Sequence, residues 1–351
     1  MTGATPKIFD GHNDTLLKLL MHRGTPKQRH FLDRAEHDHI DLPRAMEGGF
    51  CGGFFALWVP SVLDNGASVT RGADDPAHFQ PVDQAAALAY TARLISEAVQ
   101  IERAAPMKVA ICRSTSQIRQ ATVDGKLAML LHMEGAEAID PDFAALDLLY
   151  EAGLRSLGPV WSRKNIFADG VPMRFNSSPD TGPGLTEKGR ELVKRCNDMG
   201  IMLDMSHITE QGFWDVVKLS SKPIVATHSN VHALCPHARN LTDKQLSAIA
   251  ESKGVVGVNF AASFLRGDGS WSADTPLDVI VRHAAYLVEK LGEDGVAFGS
   301  DFDGCRVPKD LKDVAGLPRL IEAFRAAGFG EPLITKIAHE NWWRVLERSG
   351  I

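Results

Sequence analysis

The stretch Ile8-Phe9-Asp10-Gly11-His12-Asn13-Asp14 sets a short apolar run directly before two groups that bind cations. On a β-strand successive side chains alternate faces, so His12 and Asp14, at i and i+2, point the same way and can hold one cation together. That is half of a metal site at the end of a strand. Four residues of metal-ligating type answer it downstream: Glu134, His207, His228 and Asp301.

Apolar runs with the length of buried strands recur along the chain: Ile8 to Asp10, Gly53 to Val59, Leu127 to Met133, Ser156 to Val160, Met202 to Met205, Ile224 to Thr227, Val255 to Phe260 and Val296 to Gly299. Between them lie helix-like segments. In Asp83 to Arg103, Leu88, Leu94, Ile95, Ala98 and Ile101 follow a period near 3.6. Asp274 or Thr275 before Pro276 reads as a cap and first turn of a helix running through Val281, Ala285 and Val288. Strand-then-helix order repeated over eight strands predicts an α/β fold, the (β/α)8 TIM barrel, in which catalytic groups sit at the C-terminal ends of strands. His12, Asp14, Glu134, His207, His228 and Asp301 all follow such runs, a clustering that scattered histidines and carboxylates would not show.

Barrels of this type exceed ordinary domain length, so residues 1–351 read as one domain. Ser61 to Gln80 and Ala168 to Leu185 carry turn residues and little periodicity, and read as long loops; the second, after a strand, could cover a substrate. The 44% hydrophobic and 23% charged fractions are those of a globular protein, and no apolar stretch is long enough to span a bilayer. Met1-Thr2-Gly3-Ala4-Thr5-Pro6-Lys7 lacks a signal-peptide core and the end of the chain lacks a lipid-anchor tail, so a cytoplasmic location is expected. A net charge of -6 without a basic run argues against nucleic acid. Five cysteines without a CxxC pair point to neither a disulfide framework nor a thiolate zinc site.

Two cations can share a carboxylate, and Glu134, emerging from Leu130-Leu131-His132-Met133, is the candidate bridge; the bland alternative is a salt bridge at the rim. His132 competes as a ligand but lies one layer deeper, as a hydrogen-bonded core histidine would. His207 and His228 each read alone as core or capping residues; with His12, Asp14 and Glu134 they make a two-metal site. In Gly299-Ser300-Asp301-Phe302-Asp303-Gly304, Asp301 is assigned proton transfer and Asp303 a turn role. Arg239 could pair with a substrate carboxylate, while His232 and His237 read as exposed.

These segments resemble the membrane (renal) dipeptidase family, within the amidohydrolase-like metal barrels: Asp10-Gly11-His12-Asn13-Asp14, Glu134-Gly135, Asp204-Met205-Ser206-His207, Thr227-His228-Ser229, Arg239-Asn240 and Gly299 to Gly304. The resemblance spans nearly the whole chain. It implies a pair of zinc ions, one held by His12 and Asp14, the other by His207 and His228, with Glu134 bridging. It also implies Asp301 as proton shuttle, Arg239 as receptor for the terminal carboxylate of a dipeptide substrate, and a homodimer. Two positions depart from the family. Trp161 stands where a histidine helps polarise the scissile carbonyl, so a substrate-facing role passes to an indole, and Ala261 stands where relatives carry a tyrosine. The expected activity is dipeptide hydrolysis by a metal-bridging hydroxide, on L-Xaa-L-Xaa and L-Xaa-D-Xaa substrates. The alternatives are hydrolysis of another amide, such as an N-acyl or D-amino acid derivative, and a catalytically silent metal-stabilised binding protein.

Overall fold

A computed structural model describes residues 5–61 and 79–351. Nine strands are present among them: β1 (Ile8–Asn13), β2 (Phe50–Ala56), β3 (Val109–Ile111), β4 (Leu127–Glu134), β5 (Leu154–Gly158), β6 (Met202–Leu203), β7 (Val225–Ala226), β8 (Val255–Val258) and β9 (Val296–Phe298). All pair in parallel, in the order β1-β2-β4-β5-β6 and β7-β8-β9. Single bridges join these arcs. Asp204 pairs with Val225 beyond the end of β6, and Asn13 pairs with Phe302 beyond β9. The result is a closed (β/α)8 barrel whose eight staves correspond to the eight predicted runs. The ninth strand, β3, was not predicted; it lies beside the first half of β4, through Val109 to Ile111, ahead of β5.

Burial on both faces explains why these strands read as continuous apolar runs rather than alternating ones. In β4 all eight residues, from Leu127 to Glu134, are buried. The N-terminal end of the barrel is stoppered by Trp342, wholly buried on the helix Asn341–Ser349, whose indole N–H donates to Phe298 O at 2.8 Å and packs edge-on to Phe54. Polar groups are thereby left to the opposite, C-terminal end.

Several boundaries differ from expectation. β2 begins at Phe50 and stops at Ala56, so Leu57 to Val59 leave the sheet, although Leu57 N still donates to His132 O at 2.7 Å. The predicted helix near Asp83 runs Gln84–Ala104, with Asp83 capping Ala86 N. Pro276 stands just before the helix Leu277–Leu291 rather than in its first turn, and no side chain caps that end. The loop predicted near 61–80 falls almost wholly outside the described residues. The 168–185 segment is irregular but pinned, with bridges from Ala168 to Leu185 and from Gly170 to Ile208. No helix among the described residues is long and apolar enough to cross a membrane.

Candidate metal centre

β1, β4, β6 and β7 deliver their polar ends to one point. His12 is the fifth residue of β1, and Asp14 follows the strand; His12 Nε2 lies 3.4 Å from Asp14 Oδ2. Glu134 ends β4, and its two oxygens face different partners. Oε1 lies 2.8 Å from His207 Nε2 and 3.3 Å from His228 Nε2, whereas Oε2 lies 3.6 Å from His12 Nε2. His207 Nε2 and His228 Nε2 are 3.1 Å apart. Asp301, in the turn after β9, completes a second ligand cluster with His12 and Asp14, beside the cluster of His12, Glu134 and His228.

The imidazoles are oriented from behind. Thr227 Oγ1 donates its proton to Asp204 Oδ2 at 2.6 Å, so toward His228 Nδ1, 2.8 Å away, it can only accept. His228 therefore carries its proton on Nδ1 and turns a lone pair at Nε2 toward Glu134 and His207. Ser162 Oγ lies 2.8 Å from His207 Nδ1 and fixes that ring in turn. Both ring nitrogens of His12 are buried without a hydrogen-bond partner. Lone pairs converging on carboxylates, with orphaned imidazole nitrogens between them, are the donor set of a cation site.

Gly304 provides the room. A Cβ there would stand 2.2 Å from Asp14 Oδ2 and 2.4 Å from Asp301 Oδ1.

Electrostatics agree with this geometry. Burial pushes Glu134 well above the ordinary carboxylate range, against the pull of His12. Burial also holds His207 and His228 well below the usual imidazole value, aided by Arg239 and His12. For His12 burial acts downward, but Glu134, Asp14 and Asp301 outweigh it and lift the ring to about 10. Charges of both signs are thus crowded in a dry pocket, at a cost that a bound cation offsets.

Asp301 has positive φ (59°) and accepts from Asn259 Nδ2 at 2.9 Å; burial pushes its carboxyl up to about 6. Arg239 is buried, with Nη1 donating to Ser206 O and Nη2 to His228 O at 3.2 Å, while its Nε is buried without a partner. Its guanidinium therefore sits against the loops carrying His207 and His228. Trp161 is half-buried, 5.8 Å from the His207 ring, in an aromatic wall with Trp58 and Phe79. Ala261 is buried, its N–H donating to Asn259 Oδ1 at 2.7 Å.

His132 stays in the core as expected, its Nδ1 2.9 Å from Ser156 Oγ, and lies outside the ligand clusters. Two expectations need adjustment. Asp303 does not cap its own turn; its carboxylate accepts from Thr15 Oγ1 at 2.8 Å and His39 N at 2.6 Å, fastening the segment after β1 to the turn after β9. His237 is buried rather than exposed, because Phe264 covers its ring at 4.6 Å. Residues the sequence did not single out are Asp204, Asn259, Ser162 and Gly304, all of which act on a ligand or on Asp301 through a neighbour distant in the chain.

A model of the membrane dipeptidase family (peptidase family M19) matches residues 4–349. An uncharacterized protein in the pqqA 5' region of Klebsiella pneumoniae is 50% identical over 240 residues, which cover 68% of this chain and 89% of that one. Two solved structures superpose closely at 48% identity. One is a metallopeptidase of family M19 described as dipeptidase AC, with a TM-score of 0.91 and coverage of 99% of both chains. The other is a metallopeptidase from Rhodobacter sphaeroides liganded with a phosphinate mimic of the dipeptide L-Ala-D-Ala, with a TM-score of 0.93 and coverage of 99% of this chain and 100% of that one.

Proposed function

The chain belongs to the membrane dipeptidase family, peptidase family M19, and on that premise we propose that it is a two-zinc dipeptidase that accepts both L-Xaa-L-Xaa and L-Xaa-D-Xaa substrates. The observation that carries this reading is the divergence of the Glu134 oxygens, Oε1 toward His207 and His228 and Oε2 toward His12. A bridging carboxylate between two ligand pairs accounts for it; a rim salt bridge does not, since no lysine or arginine pairs with Glu134 among the described residues. His12 and Asp14 would hold one ion, His207 and His228 the other. Zinc ions so held would supply a lowered water pKa and a Lewis acid for the scissile carbonyl.

This chain's own residues then bind the substrate and move the proton. Asp301, raised by burial to about 6, is close enough to neutrality to accept a proton and return it to the departing amine. Asn259 holds that carboxylate at 2.9 Å and fixes its direction. Arg239 offers its unpartnered Nε to the terminal carboxylate of the dipeptide. Trp161, with Trp58 and Phe79 behind it, forms a wall for a substrate side chain where no imidazole is available. Acceptance of a D-residue is supported by the relative liganded with the L-Ala-D-Ala mimic.

The test is amine release from a panel of L,L- and L,D-dipeptides by zinc-loaded protein, beside a chelated sample and an N-acyl amino acid panel. Metal-dependent turnover of both dipeptide classes is expected. Turnover of N-acyl substrates alone, or tight dipeptide binding without turnover in protein holding two zinc ions, overturns the assignment.

A further inference from the structure

Away from the barrel mouth, His22, His37 and Asp38 bring one ligand atom each to within 4.8 Å of one another. His22 closes the helix Thr15–His22; His37 and Asp38 lie on the following loop, which returns alongside it. His22 Nδ1 is 3.2 Å and His37 Nε2 3.8 Å from Asp38 Oδ2, and the two rings meet edge-on at 5.5 Å. In a tetrahedral zinc site with bonds of about 2.1 Å, neighbouring ligand atoms stand roughly 3.4 Å apart. The three side chains are therefore already near coordination distance.

We propose that His22, His37 and Asp38 form a second cation site, separate from the catalytic centre and suited to zinc or another transition ion that prefers imidazole. His22 Nδ1 is buried with no hydrogen-bond partner, aimed at Asp38, and the side chains of His22 and Asp38 are only 14% and 10% exposed. Burial, with Lys18, Lys27 and His37 nearby, also keeps His22 below its ordinary value, which favours the neutral, ligating ring. The His37 side chain is 36% exposed, leaving the fourth position open to water.

Two competitors set the affinity. Arg29 Nε binds Asp38 Oδ2 at 2.8 Å, and His37 Nε2 faces Lys27 O at 2.9 Å. All three neighbours face the same oxygen, Asp38 Oδ2, so the cation takes it in competition with the Arg29 Nε bond, and the His37 bond to Lys27 is surrendered. The site consequently binds zinc less tightly than one free of these competitors. Its effect is to clip the loop that holds Arg29, whose Nη2 lies 3.9 Å from Asp303 Oδ2.

The experiment compares zinc content after dialysis against low-micromolar zinc in the full chain, in His37→Ala and in His22→Ala. Wild type should hold one equivalent more than either variant. His37→Ala, at an exposed position, should retain wild-type dipeptidase activity, and zinc should protect the loop from proteolysis in wild type but not in His37→Ala. Equal zinc content in wild type and a folded His37→Ala protein overturns the proposal and leaves His22 and Asp38 as a plain ion pair. Because the readout is a difference in stoichiometry, it stands apart from whether dipeptides are the substrate.

Discussion

Gly304 lacks a side chain at the place where Asp14 and Asp301 leave no space for one. Gly304→Ala should push both carboxylates aside, and displacement of about 1 Å costs on the order of 100-fold in rate. The expected outcome is a fall of that size in kcat/KM with reduced metal content and unchanged far-UV circular dichroism. Asp301→Asn should behave differently: metal content is kept, and kcat drops by roughly 100- to 10,000-fold, the usual contribution of a positioned proton donor. Metal analysis beside kinetics separates the two. The proposed ligands stood out as candidates because a histidine or carboxylate ending an apolar strand is costly unless it has a task, as with Glu134 after Leu130 and Leu131. Gly304 and Asn259 were not legible, because their roles exist only once β9 lies beside β1 and β8. His237 was misread for a related reason: Pro236, Ala238, Arg239 and Asn240 around it show no strand or helix pattern of burial, whereas Phe264, which buries it, is remote in the chain.

Between β6 and β7 the sheet is thin, each strand being two residues long, and Asp204 does the joining. Its carboxylate accepts from Ser206 N and Oγ at 3.0 and 2.6 Å and from Thr227 N and Oγ1 at 2.7 and 2.6 Å. Asp204→Ala leaves these donors buried and unpaired, so unfolding in urea should show a loss of about 3 kcal/mol, with Asp204→Asn losing less. His228, which relies on Thr227 for its tautomer, should lose metal affinity in the same variant. At this scale the eight staves could be read because parallel strands are apolar on both faces. β3 escaped notice because Val109–Ile111 is too short to stand out and flanks β4 rather than adding a stave.

The core of the molecule stores two neutral histidines, His132 and His283. Burial holds both His132 and His283 down at about 4, and His283 is satisfied as a neutral ring, its Nδ1 accepting from Val231 N and its Nε2 facing Leu265 O at 2.9 Å. Since the unfolded chain takes up these protons near pH 6.5, stability is fully present above that pH and is lost as pH falls toward 4. Each ring contributes on the order of 3 kcal/mol to that loss. Urea midpoints measured from pH 7 to pH 4.5 should therefore decline, and His283→Gln, less stable at pH 7, should decline less steeply. A parallel slope in the variant would contradict the assignment.

The barrel's seam runs through its candidate metal centre. Asp14 N donates to Phe302 O at 2.8 Å, Asp301 N to His12 O at 3.0 Å, and Ser300 Oγ to His12 O across 288 residues of chain. A polypeptide emerging from the ribosome presents His12 early and Asp301 near the end of its synthesis. At roughly 5–20 residues per second the interval is on the order of half a minute. The proposed ligands His12, Asp14, Glu134, His207 and His228 have all been made before then, so what an interrupted chain lacks is Asp301 and the turn whose N–H and hydroxyl groups fasten the barrel behind His12.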